Sequence, residues 1–429
     1  MREMKDSGVE WLGDIPKTWD IVQLGSLFSE HKHKNIGMQS NNLLSLSYGN
    51  IIRKDINTSD GLLPESFEGY NVIDDGDIVL RLTDLQNDQR SLRVGLSHES
   101  GIVTSAYVTL RRRNTAIDSK FYYYLLHSYD IRKGFYGMGA GVRQGLTYAG
   151  IRKIMLTLPT ADEQHRIVGF LEKKMTGIDT LMGNVQTQIE KLKFYKQSLI
   201  TEVVTKGLDQ NVPMKDSGVE WIGEIAETHT VYRLKYLLRT PMQYGANESG
   251  DKFKENAVRY IRITDITADG NLKDDESNQY LPLSVAAGYI LKDKDVLFAR
   301  SGGTVGKSFL YHEYYGASAF AGYLIKAECD EESLLPEYLI YYTQSSLYEL
   351  WKSMIFIQAT IQNIGANKYS NMEIPIPSIE SQTAIVEYLA DTCSKIDRLI
   401  AIKQSKIEKL EQYKRSLIYE YVTGKKEVL

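Results

Sequence analysis

Cysteine is nearly missing from this chain. Cys329 and Cys393 are the two among 429 residues, both fall in the second half, and neither has a counterpart in the first. That excludes a disulfide framework and a zinc set, and makes a reducing cytoplasm the simplest compartment. No apolar run approaches the length that spans a bilayer, so no membrane partner is expected. The N-terminus, MREMKDSG, carries charge without the apolar core of a secretory signal. Positive charge is also short: 51 Lys and Arg face 55 Asp and Glu, a formal net charge of −4. Contact with nucleic acid must then come from local basic patches or be shared with another subunit.

Catalytic patterns are missing too. Ser301 to Ser308 reads SGGTVGKS, but the phosphate loop G-x-x-x-x-G-K-[ST] needs glycine where Ser301 stands. A loop that approaches a nucleic-acid backbone fits it better. Gly137 to Gly141 imitates a dinucleotide or S-adenosylmethionine loop, yet it follows a helical stretch and not a strand. Asp162, Glu172 and Lys174 imitate a nuclease triad, but they share one helix. His31 and His33 have no acidic or cysteine partners. No methyltransferase motif of the N-P-P-[FY] type occurs. No catalytic or metal site is expected.

What the chain has is repetition. MKDSGVEW at Met4 to Trp11 returns at Met214 to Trp221, followed by LGDIP in the first copy and IGEIA in the second. Residues 158–205 return, altered, at 376–423, an offset of 218. Between these ends lie two middles that barely resemble each other, which points to two different readers on one repeated frame.

Each closing segment follows a proline, Pro159 or Pro377, with a polar capping residue and first-turn acids. Ile178, Leu181, Val185, Leu192, Tyr195 and Leu199 fall at spacings of three and four or their sum. Ile396, Leu399, Leu410, Tyr413 and Leu417 repeat this, with breaks at Gln188, Lys403 and Lys406. This is a heptad-like seam. Its economical cover is the other copy, antiparallel; packing on its own domain, or on a second copy of the chain, are the alternatives.

The middles, about 17–158 and 227–376, read as α+β. Strands are expected at Leu43 to Leu46, Asp77 to Leu82, Ala106 to Leu110, Tyr260 to Ile263, Asp295 to Ala299 and Tyr323 to Lys326. One helix each is expected near Lys120 to Tyr129 and Pro336 to Trp351. Arg81 and Arg300 end matched strands and put a guanidinium at each domain rim, suited to guanine edges or phosphates. Around them stand Arg90, Arg93, Arg143 and the triplet Arg111, Arg112, Arg113 in the first middle, and Arg259, Arg262, Ser301 and Lys307 in the second. Gln144 and Gln362 occupy equivalent positions, and a glutamine amide suits adenine. The DNA-binding candidates are therefore Arg81, Arg90, Arg93, Arg143, Gln144, Arg262, Arg300, Ser301, Lys307 and Gln362.

The paired openings, SGVEWLGDIP and SGVEWIGEIA, resemble the specificity subunit of type I restriction-modification systems. So do the paired closings: IVGFL and IVEYL, then IDTL and IDRL, then IEKL with a following tyrosine. The resemblance covers the whole chain. It implies two mixed α/β target recognition domains separated by two long antiparallel helices in a pseudo-twofold arrangement. The divisions are 1–158, 159–207, 208–376 and 377–429. Each recognition domain would read one half of a split, asymmetric target in double-stranded DNA, with the helices setting the gap. The helices would also dock two adenine methyltransferase subunits, and motor-nuclease subunits would complete the complex. S-adenosylmethionine, ATP and Mg are then expected on those partners, and none on this chain. A non-catalytic adaptor whose variable domains bind proteins is the reading from another class.

Overall fold

In the computed structural model, residues 2–428 are described, apart from 58–63, 65, 86–91, 137, 139–144, 210, 253–254, 268–269 and 358–361. The chain divides into two compact units, residues 1–186 with 405–429, and residues 187–404. The first long helix, Ala161–Lys206, gives its residues up to Gln186 to the first unit and the rest to the second. The second, Ile379–Val422, gives its residues from Ser405 to the first unit.

Each unit is α+β and built to the same plan. In the first, a four-stranded antiparallel sheet runs Phe28–Glu30, Val108–Arg112, Ile78–Leu80, Val94–Leu96. In the second, the order is Gln243–Tyr244, Leu324–Ala327, Val296–Ala299, Ser308–Leu310. The central strands IVL and VLFA are buried at every position. They are covered on both faces, which explains why they read as apolar runs and not as alternations. The turn before each is the same device. The Asp77 carboxylate accepts the Asp74 amide at 2.9 Å, and Asp295 accepts that of Lys292 at 2.8 Å. All six expected strands are present.

The helix expected at Lys120 to Tyr129 is Ser119–Ile131, capped by the Asp118 carboxylate. The one expected at Pro336 to Trp351 is instead two, Pro336–Tyr342 and Ser346–Ile357. Hydroxyls cause the break: Thr343 Oγ1 donates to the Ile340 carbonyl, and Ser345 Oγ to that of Tyr342. Ser345 Oγ then accepts the Tyr348 amide at the start of the next helix.

The long helices begin as their sequences require. Thr160 Oγ1 accepts the Glu163 amide while Glu163 accepts that of Thr160, a capping box. Along the first helix the buried or half-buried positions between 178 and 199 include Ile178, Met182, Val185, Ile189, Leu192, Lys196 and Leu199, with Gln197 half-buried beside them. Along the second, between 396 and 417, they include Ile396, Ile400, Lys403, Ile407, Leu410, Lys414 and Leu417, with Ser405 half-buried beside them. The steps alternate four and three, so the heptad seam is real. Leu181, Tyr195, Leu399 and Tyr413, however, stand one residue off it and are exposed. Within the first unit Lys414 Nζ reaches Asp179 at 2.6 Å and Phe170 packs on Tyr421. Within the second, Lys196 pairs with Asp397 and Lys403 donates to Gln188. Rising numbers meet falling ones, so the helices are antiparallel in each unit. The seam breaks at Gln188 and Lys403 satisfy each other.

One glutamine per copy ties helix to domain. Gln382 has no exposed surface; its Nε2 donates to the carbonyls of Ser333 and Pro377, and its Oε1 accepts the Leu335 amide. Gln164 does the same with Pro159 and Asp118. Gln382→Leu takes the partner from three backbone groups, one buried and two part-buried. It should cost about 2–4 kcal/mol, read as a lower midpoint in urea unfolding at unchanged m-value. An unchanged midpoint would show that the clasp is dispensable.

The repeated opening is a structural turn. Asp6 and Asp216 accept the amides of Gly8 and Gly218, whose φ of 67° and 75° favour glycine. In the first unit it docks on the end of the second long helix, where Tyr419 Oη and Lys425 Nζ both donate to the Leu12 carbonyl.

Each unit also encloses one histidine that burial keeps from charging, His127 half-buried and His229 buried. Burial pushes His127 and His229 down to about 4, helped by Lys414 and Arg415 around the first and Lys215 near the second. An unfolded histidine titrates near 6.5. Between these values the unfolded chain binds more protons, so stability is full above about 6.5 and is lost as pH falls toward 4. Asp130, pushed up to about 6 by burial, acts in the opposite sense over its own range. His127→Gln and His229→Gln should each flatten the fall in Tm between pH 7 and 4.5. A wild-type slope in both variants would contradict this assignment.

Candidate nucleic-acid interface

The rim at the end of Val296–Ala299 gathers several candidates of the second unit. Arg300 leaves the sheet with its guanidinium 4.9 Å from the centre of the Tyr244 ring. Its amide donates to the Tyr323 carbonyl, and its own carbonyl accepts the Ile364 amide at 2.9 Å. Ser301 forms a bridge with Asn363, next to the exposed Gln362. Lys307 is half-buried, and its amine has no partner among the described residues. SGGTVGKS joins two antiparallel strands through a short turn, Gly302–Thr304. A phosphate loop instead leads from a strand into a helix.

Among the described residues, three polar atoms at this rim are sealed from solvent without a partner: Arg300 Nε, Thr304 Oγ1 and Asn363 Oδ1. Two tyrosines stand out beside them, Tyr244 at 42% and Tyr323 at 59% exposure. Tyr244 is held in place by the Ala366 amide, which donates to its hydroxyl at 2.9 Å. Tyr244, Thr304, Tyr323 and Asn363 were not among the candidates. Asn363 was one residue from a chosen glutamine, but no local pattern singles out Tyr244, which reaches the rim from a distant strand.

Other arginines are corrected by their surroundings. Arg93 has no exposed surface, and its guanidinium donates to the carbonyls of Arg81, Thr83 and Asp84 and to Tyr136 Oη. It braces the rim of the first unit from inside and is not a contact in this conformation. Arg262 grips Asp265 through Nε and Nη2 and also donates to the Ser277 carbonyl. Arg111 is held by Asp77 and Asp74, and Arg112 and Arg113 donate to the Ile117 and Gly25 carbonyls. Burial would raise the Asp74 carboxyl, but hydrogen bonds from Ser100 and Arg111 carry it below its ordinary value. Arg259 donates to the Lys273 carbonyl and to Asn278. These charges hold turns together.

Arg81 is half-buried, and its guanidinium has no partner among the described residues. It is not the counterpart of Arg300. The Arg81 amide donates to the Arg93 carbonyl as that of Ala299 donates to Lys307, while Leu82 accepts the Leu146 amide as Arg300 accepts that of Ile364. The matched residues are therefore Leu82 and Arg300. The slip of one places the two arginines on opposite faces of their strands. Arg90, Arg143 and Gln144 lie outside the described residues, as do Gly137 and 139–141.

The family profile described as type I restriction modification DNA specificity domain matches residues 230–412. The type I restriction enzyme MjaVIII specificity subunit of Methanocaldococcus jannaschii is 24% identical, over 96% of this chain and 93% of that protein. Residues 230–412 thus match the specificity domain, and the chain as a whole is similar to type I restriction-modification specificity subunits. The EcoKI specificity subunit of Escherichia coli K12 matches 32% of this chain and 29% of its own length, at 28% identity. A chain solved in work on complex assembly and conformational transition of the type I R-M system has the same fold. Its TM-score is 0.71 at 17% identity, covering 95% of this chain and 98% of that one. Among the described residues no helix is long and apolar enough to cross a membrane, and no cluster of His, Cys, Asp and Glu could hold a metal.

Proposed function

We propose that this chain reads a bipartite, asymmetric DNA target, one half through each unit, and itself carries out no chemistry. The rim around Arg300 carries the proposal. Each sealed, unpaired polar atom costs about 1–3 kcal/mol, and three together beside exposed tyrosines fit a surface completed by a polar ligand. Arg300 differs from its neighbours in how it is held. Arg93, Arg111 and Arg262 are anchored by several hydrogen bonds, whereas Arg300 rests on a tyrosine ring and can turn outward at little cost.

The helices would set the gap and dock two methyltransferase subunits, with motor-nuclease subunits joining them. S-adenosylmethionine, ATP and Mg would serve those partners. Matched exposed residues favour this docking: Leu181 and Leu399, and Tyr195 and Tyr413, stand off the seam at 39% to 55% exposure. Apolar side chains repeated on the outer face of both helices fit one partner surface used twice.

The test is to co-express the chain with partner subunits and map methylated adenines across the genome. A split asymmetric motif that disappears on deleting this gene is the expected result. Methylation that is unchanged by the deletion would favour a protein adaptor.

A further inference from the structure

The repeat provides an internal control for the place where the end of a long helix meets an opening motif. In the first unit that place is plugged. The Arg2 guanidinium lies 5.1 Å from the centre of the Trp19 ring, pairs with Glu163 and donates to Thr18 Oγ1. Trp19 Nε1 donates to Glu163 at 3.2 Å. The hollow left between Arg2, Glu163 and Arg166 is about 10 Å³.

In the second unit Val212, His229, Ser381 and Ala384 stand where the first has Arg2, Trp19, Glu163 and Arg166. Every one of these replacements is smaller, and the recess they line is about 330 Å³. That volume is at the lower end of those that hold small organic ligands. Leu208, Val212, Ala384 and Ile385 give it apolar walls. Lys206 at its edge is paired with Glu202, and an Asp209 carboxylate oxygen accepts the Asn211 amide. His229, 2% exposed, also lines it, with Nδ1 3.3 Å from Thr228 Oγ1 and Nε2 buried and without a partner among the described residues. When Nδ1 donates to Thr228, Nε2 presents a lone pair.

We propose that this recess binds a planar aromatic group carrying one N–H or O–H donor, of the indole or phenol kind, with the donor on His229 Nε2. Apolar walls favour a ring, and a single buried acceptor selects a donor. Among the described lining residues no uncommitted cation stands at the rim, which disfavours an anion. The first unit shows that the same frame accommodates an indole at this place. The ring would come either from a free small aromatic or from a side chain of a partner subunit.

Calorimetric titration of the full chain with indole, N-methylindole and benzene tests this. Indole should bind about ten-fold more tightly than N-methylindole, as one hydrogen bond allows. His229→Phe should erase that preference. Ser381→Glu with Ala384→Arg, both at exposed helix positions, should abolish binding in a chain of unchanged Tm, which keeps the test valid if the His229 variant fails to fold. Loss of indole binding on assembly with the methyltransferase subunits would assign the site to a partner side chain, and its retention to a free ligand. Indole binding no tighter than N-methylindole, or binding untouched by the plug, would overturn the proposal.

Discussion

Exchanging residues 17–158 for the corresponding segment of another specificity subunit should replace one half of the methylated motif and leave the other half and the gap unchanged. The structure supports such an exchange because the two ends of each variable segment meet. Strands Asp20–Gln23 and Met155–Leu158 form an antiparallel pair with Asp20 opposite Leu158. In the second unit Thr230 stands opposite Ile376 in the same way. A segment that leaves and re-enters the frame across one strand pair can be replaced without moving the frame. Its removal also spares the Gln164 bond to the Pro159 carbonyl and the capping box at Thr160. The expected specificity change is large, because each wrong base pair costs about 1–3 kcal/mol and several would be altered together. The measurement is the genome-wide methylated motif of the exchanged chain. A change in both halves would mean that the two units do not read independently.

The frame was legible because it obeys local rules twice over. Proline followed by a capping residue marked both helix starts, and short apolar runs marked the central strands of the sheets. The seam was found with four of its eleven positions, Leu181, Tyr195, Leu399 and Tyr413, one residue out of register. Leu181 and Tyr195 are apolar and correctly spaced from Ile178 and Leu192, but Met182, Ile189 and Lys196 take the seam. A lysine there was unreadable because its buried stem and its partner Asp397 lie on different helices. The rim was less legible still. Arginine at a strand end was a sound chemical cue, yet sequence cannot distinguish Arg93, fully enclosed by carbonyls, from Arg300, resting on a ring. What separates them is which distant residues surround them, namely Asp84 and Tyr136 in one case and Tyr244 in the other.

Arg300→Ala should relax one position of the second half-site while leaving the fold and the first half-site intact. Among the described residues the guanidinium makes no ion pair and packs on no aromatic ring but Tyr244, so its removal costs a cation–π contact of about 0.5–1 kcal/mol. Loss of a bidentate base contact costs more, about 1–3 kcal/mol, or roughly 5- to 150-fold in discrimination. Specificity should therefore fall well before stability does. Arg300→Lys should not restore it, because an ammonium cannot provide the planar fork that stacks on a ring and grips a base edge. Arg262→Ala is the contrasting variant. It breaks the Asp265 and Ser277 bonds inside the protein and leaves a carboxylate, 3% exposed, without its cation. It should lower Tm and methylation at every site alike. Thermal unfolding and the frequency of each base at methylated sites, measured on both variants, separate the two roles. If Arg300→Ala leaves the motif unchanged, or lowers methylation uniformly as Arg262→Ala does, Arg300 reads no base.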